Sequence, residues 1–142
     1  MNRAAPITTG ASGLRVAFLL PDMRSGGAER LTIDLMAGML ERGHTVDLVL
    51  QRTEGQFLDL VPDGVRVIGL DAPRIRHAFN PLRRYLRTER PDALIAAMWP
   101  LTIMAVLANR FSGGGTRVIV SDHGALLSQY SGRHRTLAAL RT

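Results

Sequence analysis

Short apolar runs alternate with segments of helical spacing along this chain. Five runs are rich in Val, Ile and Leu, and several are nearly continuous rather than alternating with polar residues. Strands that are covered on both faces of a parallel sheet have this composition. The predicted strands are Arg15–Leu20, Thr45–Leu50, Val65–Leu70, Ala93–Met98 and Arg117–Ser121.

The clearest helical pattern lies between the first two runs. In Ala28–Arg42, the apolar residues Leu31, Leu35 and Met39 recur at every fourth position, which predicts a helix. Gly43 follows as a C-terminal stop signal.

Three further helices are predicted between the later runs. Thr53–Val61 is a shorter candidate, ended by a proline and glycine turn. Asn80 has the character of an N-cap and Pro81 that of a first helical residue, in a helix that stops before Pro91. Leu101–Phe111 is apolar almost all round, which predicts a buried helix.

Strands that alternate with helices indicate βαβ units. The predicted fold class is therefore α/β, with a doubly wound, mostly parallel, Rossmann-like sheet of about five strands. We expect residues 14–142 to form this domain after a flexible tail at residues 1–13. Ligands of such sheets bind beyond the carboxyl ends of the strands, where the loops Pro21–Gly27, Trp99–Pro100 and Asp122–Gly124 are expected to meet.

Composition narrows the chemistry that this chain can perform. The 142 residues carry a net charge of +6, which favours anionic partners, and contain no cysteine, which excludes disulfides and thiolate nucleophiles and suits a reducing cytosol. All 18 residues counted as Lys or Arg are arginine, so a phosphate-loop lysine and a Schiff-base lysine are excluded. No N-terminal segment resembles a signal peptide, and the longest apolar stretch, residues 93–108, is short for a membrane span. These features predict a cytoplasmic protein.

A glycine turn connects the first strand to the first helix. Gly26 and Gly27 allow a sharp turn and a close approach to a ligand, and the N–H groups that open the next helix favour an anion such as phosphate. The spacing is not the Gly-x-Gly-x-x-Gly of dinucleotide-binding proteins. The alternative is a plain strand-to-helix turn that needs glycine for its geometry.

Asp122 and His123 directly follow the fifth predicted strand. A histidine there is suited to donate a hydrogen bond to a phosphate or a sugar hydroxyl, or to act as an acid or base near neutral pH. A loop histidine that caps the next segment is the alternative. The other three histidines have no ligand-like spacing to His123, so no metal site is predicted.

Arginines crowd one region of the chain, and the sole tryptophan follows the fourth strand. The arginines form either a solvated face or a contact with anionic lipid headgroups, worth about 1 kcal/mol for each residue, which raises the hypothesis of a peripheral position on the inner face of the cell membrane. Nucleic acid is not a predicted partner, because aromatic residues are scarce and no recognition module is visible. Trp99 is either a core residue or part of a pocket lining. The arginines are Arg74, Arg76, Arg83, Arg84, Arg87 and Arg90.

Four stretches of the chain resemble the opening of family 4 glycosyltransferases. They are Gly26-Gly27-Ala28-Glu29-Arg30 after the first strand, and residues 39–46, 91–95 and 118–124. Those enzymes have the GT-B fold, in which two Rossmann-like domains face each other across a cleft. They transfer a sugar from a nucleotide-sugar donor with retention of configuration, usually without a metal. The resemblance implies that this chain is the amino-terminal, acceptor-side domain, inactive without the donor domain, and that it uses no cofactor beyond the nucleotide-sugar.

The resemblance also leads to a hypothesis about individual residues. Gly26, Gly27 and Arg30 would bind the donor phosphates, His123 would be the catalytic residue near the transferred sugar, and Asp122 and Trp99 would lie on the acceptor side. The acceptor would be a glycan or a polyprenyl-linked lipid of bacterial glycan assembly. The competing interpretation is a non-catalytic module that binds a phosphorylated or lipid-phosphate ligand, or one half of a two-chain transferase.

Overall fold

The computed structural model describes residues 13–121. Strands and α-helices alternate along them except between the second and third strands, which are joined through a short 3₁₀ segment; a second 3₁₀ segment leads into the second helix. The strands are β1 (Arg15–Leu20), β2 (Thr45–Leu50), β3 (Arg66–Gly69), β4 (Ala93–Ala97) and β5 (Arg117–Ser121), and the helices are α1 (Gly27–Glu41), α2 (Phe79–Glu89) and α3 (Leu101–Phe111).

All five strands form one parallel sheet in the order β3-β2-β1-β4-β5. The central strand β1 pairs on both sides, with Leu19 opposite Val49 of β2 and Ala96 of β4. Helix α1 packs on one face of the sheet, and α2 and α3 pack on the other. The predicted doubly wound α/β fold is therefore confirmed.

Residues of β1 alternate between two cores. Ala17 and Leu19 pack with α2 and α3, while Phe18 and Leu20 pack with α1. All four are at most 2% exposed. Because both faces of β1 are covered, its sequence is an unbroken apolar run.

Two predicted helices differ from those observed. Thr53–Val61 contains only a 3₁₀ segment, Gln56–Leu60. A second 3₁₀ segment, Ile75–Ala78, leads directly into α2. Asn80 therefore lies inside the first turn of α2 instead of capping it, and Pro81 is tolerated there because the first turn needs no N–H donors.

The apolar faces of α1 and α3 are only partly covered by the described residues. Helix α1 buries Thr32 and Met36, whereas Leu31 and Leu35 are exposed. The prediction that α3 is buried all round is wrong, because α3 lies beside the edge strand β5 and turns only one side to the sheet. Its outward residues are Ile103, Val106, Leu107 and Phe111, each between 42% and 60% exposed.

A network of charged groups holds the amino ends of the strands together. Asp47 of β2 is fully buried and accepts hydrogen bonds from Arg15 Nε (3.2 Å), Arg66 Nε (3.1 Å), Arg66 Nη2 (2.9 Å) and the hydroxyl of Tyr85 (2.6 Å). Glu89 pairs with both arginines, at 2.9 and 3.0 Å. Burial alone would raise the pKa of Asp47, but the hydrogen bonds from Arg66 and Tyr85 outweigh it and hold that pKa below its usual value. Burial and the adjacent Asp47 raise the pKa of Tyr85.

Candidate ligand-binding crevice

The strand order reverses beside β1, and the crevice lies at that point. From β1 the chain passes through α1 to β2 on one side, while β4 pairs on the other side. Residues 21–26 after β1 and residues 98–100 after β4 therefore leave the sheet next to each other. Ligands of open α/β sheets bind at such a switch point, beyond the carboxyl ends of the strands. Two of the three predicted loops lie at this edge; the third, Asp122–Gly124, is outside the described residues.

Close backbone contacts fix the loop that follows β1. The N–H of Met23 donates to the carbonyl of Glu54 (2.9 Å), and the N–H of Phe57 donates to the carbonyl of Met23 (2.8 Å). Gly55 has a left-handed φ of +125°, and a Cβ there would collide with the backbone of Met23 and Arg24. Gly55 is thus the residue that lets the two loops touch. We did not predict a structural role for Gly55. The indication that the sequence offers is a glycine within the polar segment after β2.

Ion pairs brace the same loop from the side. Asp22, whose side chain is 10% exposed, accepts a hydrogen bond from the Arg24 N–H (3.1 Å) and pairs with the guanidinium groups of Arg24 (3.1 Å) and Arg52 (3.3 Å). Glu54 pairs with the same two arginines, at 3.0 and 3.4 Å. The hydrogen bond to Glu54 and the charge of Asp22 raise the pKa of Arg24. Both arginines are therefore occupied by carboxylates of the protein.

The amino terminus of α1 opens directly from this loop. Gly26 is the N-cap, with extended backbone (φ −163°, ψ 169°) and no side-chain cap. The Arg30 N–H makes the first helical bond, to the Gly26 carbonyl (3.1 Å), so three N–H groups precede the ladder. Gly27 does not have a left-handed φ, and a Cβ on it would meet no atom within 4 Å. The turn geometry does not itself require glycine at Gly27.

Glu29, in the first turn of α1, places a buried carboxylate at the crevice. The residue is only 6% exposed, and its Oε2 atom is buried without a hydrogen-bond partner among residues 13–121. A Cβ on Gly26 would collide with that same oxygen, so the carboxylate lies over Gly26. We assigned no role to Glu29 from the sequence, because a glutamate in a first helical turn is also ordinary helix chemistry.

Arg30 and Trp99 are exposed residues on the helix and the strand end that border the crevice. Arg30 is exposed and has no ion pair within residues 13–121. Trp99 follows β4 and is 68% exposed, so it is not a core residue. Met98 before it has a left-handed φ of +71°, a strain of order 1 kcal/mol that proteins concentrate at ligand sites. Trp99 is joined to Pro100 by a cis peptide bond.

The other predicted site residues lie elsewhere. Asp122 and His123 are outside the described residues. The six arginines lie in the second 3₁₀ segment, in α2 and in the residues that flank them, and none of them forms an ion pair in the described part of the chain. Arg87 and Arg90 line a cavity of about 370 Å³ at the amino edge of the sheet, together with Gly113 and Gly114.

Two further properties concern residues 13–121 as a whole. Within them, no three His, Asp or Glu side chains are grouped so that they could hold a metal ion. None of the three helices there is long and apolar enough to cross a membrane.

Comparison with known proteins identifies relatives of this domain. The family model described as "Glycosyl transferase 4-like domain" matches residues 26–142. The fold is similar to that of UGT2 from Phytolacca americana, solved with UDP-2-fluoro-glucose and pterostilbene, with a TM-score of 0.50 and 13% sequence identity. The match covers 78% of this chain and 31% of UGT2, so the described domain corresponds to about a third of that protein. No curated protein matches the sequence.

Proposed function

The chain belongs to the family of glycosyl transferase 4-like domains, and we propose that it supplies the acceptor side of a retaining glycosyltransferase that uses a nucleotide-sugar donor. The observation that carries the proposal is the opening of α1 at the switch point of the sheet. Three N–H groups precede the helical ladder there, and open space lies beside Gly27. An anion binds well at such a terminus.

In this proposal the diphosphate of the donor lies against Gly27 and Arg30, whereas Gly26, which we also predicted to bind it, is occupied by the carboxylate of Glu29. The helix N-terminus and the guanidinium of Arg30, which has no ion pair among residues 13–121, stabilise the negative charge that grows on the diphosphate as the nucleotide leaves. Arg24 and Arg52 are less suitable, because Asp22 and Glu54 already neutralise them. His123 is proposed as the catalytic residue near the transferred sugar, and Asp122 and Trp99 as acceptor-side residues. The acceptor is proposed to be a glycan or a polyprenyl-linked lipid.

The fluorescence of Trp99 offers a direct test, because it is the only tryptophan of the chain and lies at the crevice. UDP, GDP and inorganic pyrophosphate are titrated into the wild-type chain and into Gly27→Val. We expect saturable binding by the wild type and a roughly tenfold to hundredfold weaker affinity for the variant, since a lost charge-assisted hydrogen bond is worth about 1.5–3 kcal/mol.

Gly38→Val is the matched control for this test. Gly38 also lies in α1, and a Cβ there also meets no atom within 4 Å, so neither substitution places its Cβ against another atom. If the two variants bind equally, or if none of the three probes binds the wild type, the diphosphate proposal is wrong.

The arginines support a second proposal, that the domain associates with an anionic membrane surface. Five of the six side chains belong to exposed residues, Arg83 being half-buried, and the six lack carboxylate partners among residues 13–121. Such a surface suits a cytoplasmic enzyme whose acceptor is anchored in lipid, because anionic headgroups attract clustered arginines.

A further inference from the structure

We propose that Glu29 is a ligand-binding residue, and that its carboxylate accepts hydrogen bonds from the hydroxyl groups of a bound carbohydrate. The inference deepens the proposed transferase function and rests on it for the identity of the crevice. It assigns a separate position within that crevice to the sugar, beside the position proposed for the diphosphate.

The position of Glu29 follows from that of Thr32, which lies on the same face of α1. Thr32, one turn further along the helix, lines a small cavity with Leu20, Ala97 and Ser121, the last residues of β1, β4 and β5. Because α1 starts at the carboxyl edge of the sheet, Glu29 lies about one turn nearer that edge than Thr32, which places it at the floor of the crevice.

The ordinary structural role for this residue is not realised. A glutamate at the third helical position can reach back and accept a hydrogen bond from the N–H of the N-cap residue. Here the carboxylate lies over Gly26, but within the described part of the chain Oε2 has no partner and α1 has no side-chain cap. A buried carboxylate oxygen without a donor is costly to the fold, and such exceptions call for a reason.

The surroundings of Glu29 select the chemistry of the ligand. Its negative charge repels a phosphate from the side of Gly26. The positive end of the α1 dipole and the nearby Arg30 disfavour an ammonium group or a metal ion. A neutral hydroxyl group is repelled neither by the carboxylate nor by the positive groups around it. It also donates the hydrogen bond that Oε2 lacks within the described residues. The exposed ring of Trp99 on the neighbouring strand end provides an apolar surface, which suits the mixed character of a sugar ring.

The test uses the whole 142-residue chain, isotopically labelled for NMR, and unphosphorylated methyl glycosides of glucose, galactose, mannose and N-acetylglucosamine as probes. We expect at least one glycoside to shift the backbone signals of residues 26–30. Glu29→Gln keeps the size of the side chain but replaces a charged acceptor, so the affinity for that glycoside should fall roughly tenfold to hundredfold. Glu41→Gln, at the exposed far end of α1, should leave it unchanged.

The same variant distinguishes a ligand role from a structural one. Removing the charge of Glu29 should leave pyrophosphate binding unchanged or tighten it, because an anion is no longer repelled. If Glu29→Gln instead weakens pyrophosphate and glycoside equally and lowers the thermal stability, the residue is structural and the inference is wrong.

The outcomes also separate this inference from the proposed function. Glycosides that bind through Glu29 while UDP, GDP and pyrophosphate do not bind would support the sugar position and contradict the diphosphate proposal. Nucleotide binding without any glycoside-induced shift at residues 26–30 would overturn the role of Glu29 and leave the diphosphate proposal in place.

Discussion

Two buried carboxylates, Asp47 near the amino edge of the sheet and Glu29 at the carboxyl edge, have opposite hydrogen-bonding environments. At the amino edge, Asp47 receives four hydrogen bonds, and its arginine partners are paired again by Glu89. At the carboxyl edge, Glu29 is almost as deeply buried, yet its Oε2 receives no hydrogen bond from residues 13–121. The protein itself supplies the hydrogen-bond donors of Asp47, whereas Oε2 of Glu29 can still accept a hydrogen bond.

This difference indicates where stability and binding reside in the domain. The hydrogen-bonding groups around Asp47 are already used within the protein, and their network links β1, β2, β3 and α2 instead of binding a ligand. An unsatisfied carboxylate and a helix N-terminus lower the stability of the free protein but become favourable when a ligand supplies the missing partners. Changes at the amino edge should therefore affect folding, and changes at the carboxyl edge should affect binding.

The largest effect is expected from Asp47→Ala. The change leaves the buried Tyr85 hydroxyl and two arginines without their shared acceptor, so the free energy of unfolding should fall by about 3 kcal/mol. Urea denaturation measures this loss. Asp34→Ala, on the exposed side of α1, should change it by less than about 0.5 kcal/mol. Equal losses for the two variants would mean that the amino-edge network does not stabilise the fold.

The next effect concerns the pH dependence of stability. The pKa of Asp47 is lowered from 3.8, so its contribution is complete above about pH 4 and is lost as the pH falls further. The pKa of Tyr85 is raised from 10.0, so its contribution is complete below pH 10 and is lost as the pH rises.

Tyr85→Phe should therefore cost about 1.5–3 kcal/mol between pH 4 and pH 10, because it removes a hydrogen bond to a charged group. Unfolding curves at several pH values measure the difference from the wild type. That difference should shrink only as the pH falls through the lowered pKa of Asp47. A cost that grows as the pH falls below 4 would contradict the assignment of this hydrogen bond to an ionised Asp47.

The smallest effect is expected on the arginine surface. Arg87→Gln should weaken binding to phosphatidylglycerol vesicles by about 1 kcal/mol, or about fivefold, in a cosedimentation assay at low salt. Arg42→Gln, exposed at the end of α1 on the other side of the sheet, is the control and should have no effect. Equal weakening by both changes, or binding that does not respond to salt, would argue against a specific lipid-facing surface.

Local patterns predicted the strands well, because burial on both faces leaves a continuous apolar run such as Arg15–Leu20. They failed where a residue depends on a distant partner. Asp47 and Tyr85 are 38 positions apart, and the close approach of Gly55 to Met23 joins two different loops. The exposure of Ile103 was missed for a related reason, since apolar content does not reveal which neighbours cover a helix.

The most direct test is to identify the edge of the sheet at which an anionic ligand binds. The 15.5 kDa chain suits ¹H–¹⁵N correlation spectra, with UDP-glucose as the probe. We predict that the shifted signals belong to residues 21–30 and 98–99, while those of β2 near Asp47 stay in place. If the shifts instead gather at residues 87–90 and 112–116, around the cavity at the amino edge, the crevice is not the binding site and the central claim is wrong.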